Sequence, residues 1–265
     1  MALSKNTIKW LCSLHQKKHR CKERVFLLSG EKLVAELLTN APNLVVEIYA
    51  QDTWLQNNDN YFTLHTNNKI ASSSLTITPV TERQMAQICP TITPPPIMAA
   101  AQFLPTPQTS SYQLPLKAQT WALLLDGIND PGNLGTIIRT ADWFGVKNIY
   151  ASSDCADLYN PKTVQATMGS IFRTQVIYAP LKDIVLENPH LPVYGAFLSG
   201  TNIFEENFPT SGLMTIGSEA HGIRLETQPL VTKTVTIQGY GKAESLNATV
   251  ASGILLATIT KNWRK

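Results

Sequence analysis

The sequence predicts an α/β protein of two domains, the second built on a largely parallel sheet. Three observations lead there. From residue 121 onward, short apolar runs alternate with helical patterns, the order that successive βαβ units produce. The first of these runs, Trp121–Leu125, is apolar at every position, as in a strand covered on both faces. Before it, residues 104–117 (LPTPQTSSYQLPLK) are rich in Pro, Ser, Thr and Gln and lack periodicity, which marks a linker after a smaller α/β region.

In the smaller region, residues 6–22 predict one basic amphipathic helix with Ile8, Leu11 and Leu14 or His15 turned inward. Val25–Leu28 reads as a strand, Glu31–Leu38 as a helix with Leu33, Val34, Leu37 and Leu38 on one face, and Val45–Ala50 as a strand. Tyr61–Leu64 reads as a third strand, Thr66–Ser74 as a polar loop, and Ile97–Phe103 as the last strand. Thr81-Glu82-Arg83-Gln84 has the form of a capping box that opens a helix to Ile88.

In the larger region the pattern predicts strands at 121–126, 146–151, 174–178, 192–198, 212–217 and 234–238. It predicts helices at 133–144, 161–171, 181–187 and 245–262, with Asn160-Pro161 a good helix start. The expected division is a first domain at 1–105, a linker at 106–117 and a second domain at 118–265.

Composition narrows the class. With 43% hydrophobic and 15% charged residues, the 265-residue chain has core enough for two domains. No apolar run reaches the roughly 18 residues of a membrane span, and the polar N-terminus has no apolar signal region, so no membrane role is expected. Cys12, Cys21, Cys89 and Cys155 are scattered, without a paired C-x-x-C. They read as reduced thiols of a cytoplasmic protein, with no metal site. The net charge of +3 is uneven: residues 1–24 carry seven basic side chains against one acid, while the rest of the chain is net negative. Such an arm suits contact with a phosphate backbone, and equally a solvated helix face.

The chemistry gathers after the first strand of the larger region. Asp126–Asn133 stands just past a strand's carboxyl end, where open α/β sheets keep their binding crevice. Neither G-x-G-x-x-G nor the Gly-Lys-Ser/Thr of a nucleotide-hydrolase loop is present. The turn gives instead Asn133-x-Gly135-x-x-x-Arg139, which points to an anionic polymer or cofactor rather than a free dinucleotide. Two further strand-to-loop transitions are unusually polar: Met214–Gly222 and Glu244–Ala248.

Together the stretches Asn133–Arg139, Ile216-Gly217-Ser218-Glu219-Ala220-His221-Gly222 and Ser245-Leu246-Asn247-Ala248 resemble the three signature motifs of the SpoU (TrmH) family of RNA ribose 2′-O-methyltransferases, of the SPOUT superfamily. The resemblance covers roughly 118–262, and more loosely 5–105, which is similar to the family's L30e-like substrate-binding domain. It implies a deep trefoil knot in the C-terminal domain, which pattern reasoning alone would have excluded. It also implies S-adenosyl-L-methionine as methyl donor, RNA as substrate (ribosomal RNA favoured over transfer RNA) and a homodimer through the C-terminal domain. By position it assigns the cofactor to backbone groups at Gly217, Ile237 and Leu246, with Gly239 in a flexible Gly239-Tyr240-Gly241 loop. It puts Arg139, Asn133, Glu219, Ser245 and Asn247 in the reaction site.

Arg139 is closest to the reacting hydroxyl by this resemblance. A guanidinium is a poor base, so binding of the adjacent phosphate and stabilisation of developing negative charge suit it better. Asn133 would position Arg139 or the ribose, or merely cap its helix. Glu219 would orient Arg139 or Asn247, and Ser245 and Asn247 would bond RNA or the first motif, Ser245 being equally a helix cap. Two other classes compete: a non-catalytic RNA-docking module, which would not need these five residues gathered at one crevice, and a nucleotide-binding oxidoreductase, which the missing glycine fingerprint disfavours.

Overall fold

The computed structural model of the chain describes residues 3–66, 75–89, 93–105, 112–114 and 119–263. The chain divides into two compact units, Met1–Pro105 with Tyr159–Phe172, and Thr106–Leu158 with Arg173–Lys265. Most of the polar loop expected at Thr66–Ser74, and much of the expected linker, lie outside the described residues.

In the first unit the basic N-terminal run folds as two helices, not one. Ser4 caps α1 (Lys5–Ser13), its hydroxyl accepting from the Thr7 N–H at 3.0 Å. After an extended Gln16, α2 (Lys17–Glu23) runs to Arg24, which takes the left-handed conformation with φ 52°. Arg20 stabilises the break: only 2% exposed, it donates to the Leu14 carbonyl at 2.9 Å, satisfying a carbonyl at the end of α1.

Strands β1 (Val25–Ser29), β2 (Val45–Gln51), β3 (Ile77–Val80) and β4 (Ile97–Gln102) form a sheet in the order β1-β4-β2-β3. The pairs β1–β4 and β4–β2 are antiparallel, and β2–β3 is parallel. The sequence pattern missed β3, whose Pro79 is tolerated because the strand lies at the sheet edge. Helix α3 (Glu31–Asn40) buries the four predicted residues Leu33, Val34, Leu37 and Leu38. After α4 (Asp52–Asn57), Tyr61–Thr66 is a helix, α5, where a strand was expected. Its Phe62 and Thr66, four apart, are buried while Thr63 and Leu64 face outward, and Tyr61 meets Trp54 edge-on at 4.9 Å. Packing here overrides the β preference of an aromatic and β-branched run. The expected capping box is present at α6 (Glu82–Ile88): the Gln84 N–H donates to the Thr81 hydroxyl at 3.2 Å, and the Thr81 N–H to the Gln84 side chain at 3.0 Å.

A helix from later in the chain, Pro161–Thr167 (α8 in chain order), belongs to this first unit and packs on β1. Asn160 caps it and Pro161 holds its first position, as predicted, but it stops at Met168 with φ 50° rather than at 171. Just before it, the ring of Tyr159 stacks on Phe103 with centroids 3.7 Å apart.

The second unit is a six-stranded sheet in the order β10-β8-β9-β5-β6-β7, every pair parallel. Its members are β5 (Trp121–Asp126), β6 (Asn148–Ala151), β7 (Gln175–Tyr178), β8 (Val193–Asn202), β9 (Gly212–Gly217) and β10 (Lys233–Thr236). Central β5 is buried at all positions, as its unbroken apolar run predicts. The chain steps inward from β8 to β9 and then out again, past β8, to β10. Helices α7 (Pro131–Trp143), α9 (Leu181–Glu187) and α10 (Ala248–Ile259) complete the unit, with α7 and α10 packed together. Helix α10 starts three residues later than expected, because Asn247 and not Ser245 caps it: its side chain accepts from the Thr249 N–H at 2.9 Å.

Candidate active site

The turn after β5 is held from two directions. The Gly127 N–H donates to the Ser152 hydroxyl at 2.9 Å, with Gly127 at φ 71°, and the Ile128 N–H donates to the Cys155 sulfur at 3.2 Å. Burial pushes the Cys155 thiol pKa up, so it stays neutral in this role. Asp130 then caps α7, accepting from the Asn133 N–H at 2.9 Å, with Pro131 in the first helical turn. Because Asp130 does the capping, the Asn133 side chain is free to point elsewhere.

It points at Glu219. The Asn133 amide donates to Oε1 of Glu219 at 2.5 Å, and the Asn247 amide donates to the same oxygen at 3.1 Å. The Ala248 N–H at the start of α10 approaches it at 3.3 Å, a favourable place for a carboxylate at a helix N-terminus. Asn247 also lies 3.4 Å from the Asn133 carbonyl oxygen. One residue from each of the three stretches singled out in the sequence thus meets in a single hydrogen-bonded cluster. Since the Asn247 oxygen caps its own helix, its NH₂ group is left to face Glu219.

Beside the cluster lies a cavity of about 970 Å³. Its walls are Ala196–Ser199 of β8, the loop from Ile216 to Ile223, the segment Val235–Gly241, and residues of the α10 approach from Ala243 to Ala248. Gly217, Ile237, Gly239 and Leu246 all line it, as do Glu219 and Ser245. Sequence reasoning missed the contribution of β8, where Ser199 and the neighbouring Gly200 were the available signal. At Gly217 the glycine is obligatory: a Cβ there would lie 2.0 Å from the carbonyl carbon of Gly222. Gly239 and Gly241 instead look onto open space. The volume and the mixture of apolar wall and backbone groups suit a nucleoside-sized cofactor.

Arg139 is exposed on α7 and is not among the residues lining the cavity. Among the described residues, none of the hydrogen bonds or ion pairs found joins it to Asn133 or Glu219. Ser245 is exposed at the cavity wall. Sequence reasoning also missed a second cluster. Asp126, wholly buried at the end of β5, receives the Arg224 backbone N–H at 2.9 Å and its Nε at 2.6 Å, and also pairs with Nη2. Arg224 reaches Asp154 at 3.2 Å and Glu226 at 3.4 Å as well. Hydrogen bonding to Asp126 raises the Arg224 pKa, while the Ser152 hydroxyl, and then Arg224, hold Asp154 below the usual aspartate range.

Fold and site together define a two-unit α/β protein whose parallel sheet carries a cofactor-sized cavity beside an Asn–Glu–Asn cluster. The chain belongs to the SpoU rRNA Methylase family, which matches residues 120–257, and residues 5–99 match the MRM3-like substrate binding domain. It is 31% identical over 92% of its length to the 23S rRNA (guanosine(2553)-2′-O)-methyltransferase RlmP of Bacillus subtilis, covering 91% of that protein. A solved structure from Porphyromonas gingivalis, assigned to the TrmH family of RNA methyltransferases, is 32% identical with a TM-score of 0.76, over 97% of this chain and 98% of that one. The AdoMet-bound rRNA methyltransferase of Sinorhizobium meliloti, 23% identical, shares the fold with a TM-score of 0.83, over 100% of this chain and 99% of that one.

Proposed function

We propose that this protein transfers the methyl group of S-adenosyl-L-methionine to a ribose 2′-hydroxyl in structured RNA, with ribosomal RNA the favoured substrate. The observation that carries the reading is the meeting of Asn133, Glu219 and Asn247 at the rim of a cavity walled by Gly217, Ile237, Gly239 and Leu246. When bound, S-adenosyl-L-methionine supplies an electrophilic methyl on a sulfonium. The chain's own work is to hold that group, to place the ribose and to stabilise charge on its oxygen. Glu219 aligns the two asparagine amides, and Asn133 and Ser245 would position the ribose. Arg139 binds the neighbouring phosphate with its fork of donors and stabilises negative charge at the hydroxyl.

The reading extends to a homodimer through the C-terminal unit, in the cytoplasm. Support comes from the open face of α10, where Val250 is 49% exposed, with Ala257 outward and Ile254 half-buried on the same stripe, and from Leu246 just before the helix, 43% exposed. Trp143 on the neighbouring α7 is 84% exposed, and Arg139 lies outside the cavity of its own chain, where a partner's site would have use for it. A trefoil knot in this unit fits a strand order in which β8 lies between two later strands. The division of labour we propose is RNA docking by the N-terminal region, catalysis by residues 118–265.

Titration calorimetry separates this reading from its competitors. Heat of binding with S-adenosyl-L-methionine and none with NAD is expected. Binding of NAD alone, or of neither, contradicts it.

A further inference from the structure

Asp126 is a carboxylate wholly removed from water, which is costly unless it is paired and hydrogen-bonded. It stands at the root of two functional segments. Forward in the chain, Gly127 and Ile128 lead within a few residues to Asp130, α7 and Asn133. Across the sheet it is held by Arg224, 98 positions later, through the backbone N–H on Oδ2 and the guanidinium on Oδ1. Arg224 ends the loop that carries Glu219. That loop has little slack: the Gly222 N–H donates to the Ser218 carbonyl at 2.8 Å, and the Gly217 and Gly222 backbones are too close to admit a single Cβ. A shift at residue 224 therefore moves Glu219 rather than being absorbed on the way. Asp154, from the loop after β6, holds the other side of the guanidinium.

We infer that Asp126 and Arg224 are positioning residues: the pair locks the Ser218–Ile223 loop to the root of α7, so that the Glu219 carboxylate stands where the Asn133 and Asn247 amides meet it. The inference rests on the proposed reading of Glu219 as part of the reaction site. Its chemistry favours Arg over Lys, because two nitrogens and the backbone N–H must reach one carboxylate at fixed angles.

The test is a double-mutant cycle in the full-length protein between Arg224→Lys and Glu219→Gln, read as kcat, KM for RNA, cofactor affinity and thermal midpoint. Arg224→Lys is expected to lower kcat by about 10- to 100-fold, the scale of an ångström-level misplacement, with KM and cofactor affinity little changed. In the cycle the double variant should be hardly slower than Glu219→Gln alone, because both changes remove one thing, the placement of Glu219. Losses that simply multiply would overturn the inference and leave the site reading standing. Wild-type turnover in Glu219→Gln would overturn both. Should Arg224→Lys lose its cooperative melt, Asp154→Asn replaces it in the cycle, since it loosens the guanidinium from the solvent side. The same non-additivity, with a smaller loss, is then expected, and multiplying losses again overturn it.

Discussion

Asn133 and Glu219 are 86 positions apart in the chain and share a 2.5 Å hydrogen bond between the amide of one and the carboxylate of the other. The bond fixes the first turn of α7 against the loop that walls the cavity. A residue six positions along the same helix, Arg139, stays outside that bond and outside the cavity wall. On the proposed reading the two residues divide the labour, Asn133 aligning the site through Glu219 and Arg139 offering its charge to RNA.

Arg139→Ala is expected to leave the melting temperature nearly unchanged, because the side chain is exposed. Methyl transfer should fall by ~10² or more, the loss typical of one preorganised donor. Arg139→Lys should rescue little, since a point charge cannot replace the planar fork. Near-normal turnover of the alanine variant would remove Arg139 from the mechanism.

Gly217→Ala should act on cofactor binding. The added methyl meets the Gly222 backbone at 2.0 Å, so the cavity wall must move. Calorimetry should show cofactor affinity falling by at least about tenfold, while RNA binding through the N-terminal region holds. Unchanged cofactor affinity would show that this wall does not touch the ligand.

The basic arm predicts a salt effect that excludes one of its own members. Lys17, Lys18 and Lys22 are exposed, but Arg20 is buried against Leu14 and cannot reach a phosphate. Replacing the three lysines by alanine should flatten the salt dependence of RNA binding by about two units, at about 0.7 per phosphate contact on a single strand. Cofactor affinity should not change. An unchanged slope would make the arm a solvated face. Arg20→Ala should instead lower stability, by about 1–3 kcal/mol for a buried carbonyl left without its donor.

Acid should find Asp154. Its folded pKa lies below the ordinary 3.8, through Ser152 first and Arg224 after it. A depressed carboxylate contributes stability that is complete above 3.8 and is lost as pH falls through the lower folded value. Asp154→Asn should therefore flatten the fall of the melting temperature as pH drops below 3.8. An acid limb identical to wild type would mean that the contacts to Asp154 do not persist in solution.

Much of this architecture is written locally. Strands β5 and β9 and helix α9 begin and end where the pattern puts them, since a buried parallel strand must be apolar throughout and a helix must repeat its apolar face. What the pattern missed depends on distant partners. Tyr61–Leu64 has strand-forming residues but folds as a helix around Phe62, and the single N-terminal helix breaks where Arg20 turns inward. In the site, the three motifs were visible one by one, yet nothing local says that Glu219 meets both asparagines. Nor could spacing show that Asp126 belongs with Arg224, because a carboxylate at a strand end looks the same whether it serves a ligand or a buried ion pair. Ser245 and Asn247 illustrate a finer limit: both can cap a helix, and the choice between them follows from where Glu219 waits.

The central claim is that this chain methylates a ribose 2′-hydroxyl of ribosomal RNA. The direct measurement incubates the purified protein with S-adenosyl-L-methionine carrying a labelled methyl group and with ribosomal and transfer RNA from cells lacking the protein, then separates the RNAs and maps the label by nucleoside analysis. The expected result is label in a 2′-O-methylnucleoside at a defined position, absent with Arg139→Ala. Label on a base, label only on transfer RNA, or no transfer by a protein that binds the cofactor would contradict it.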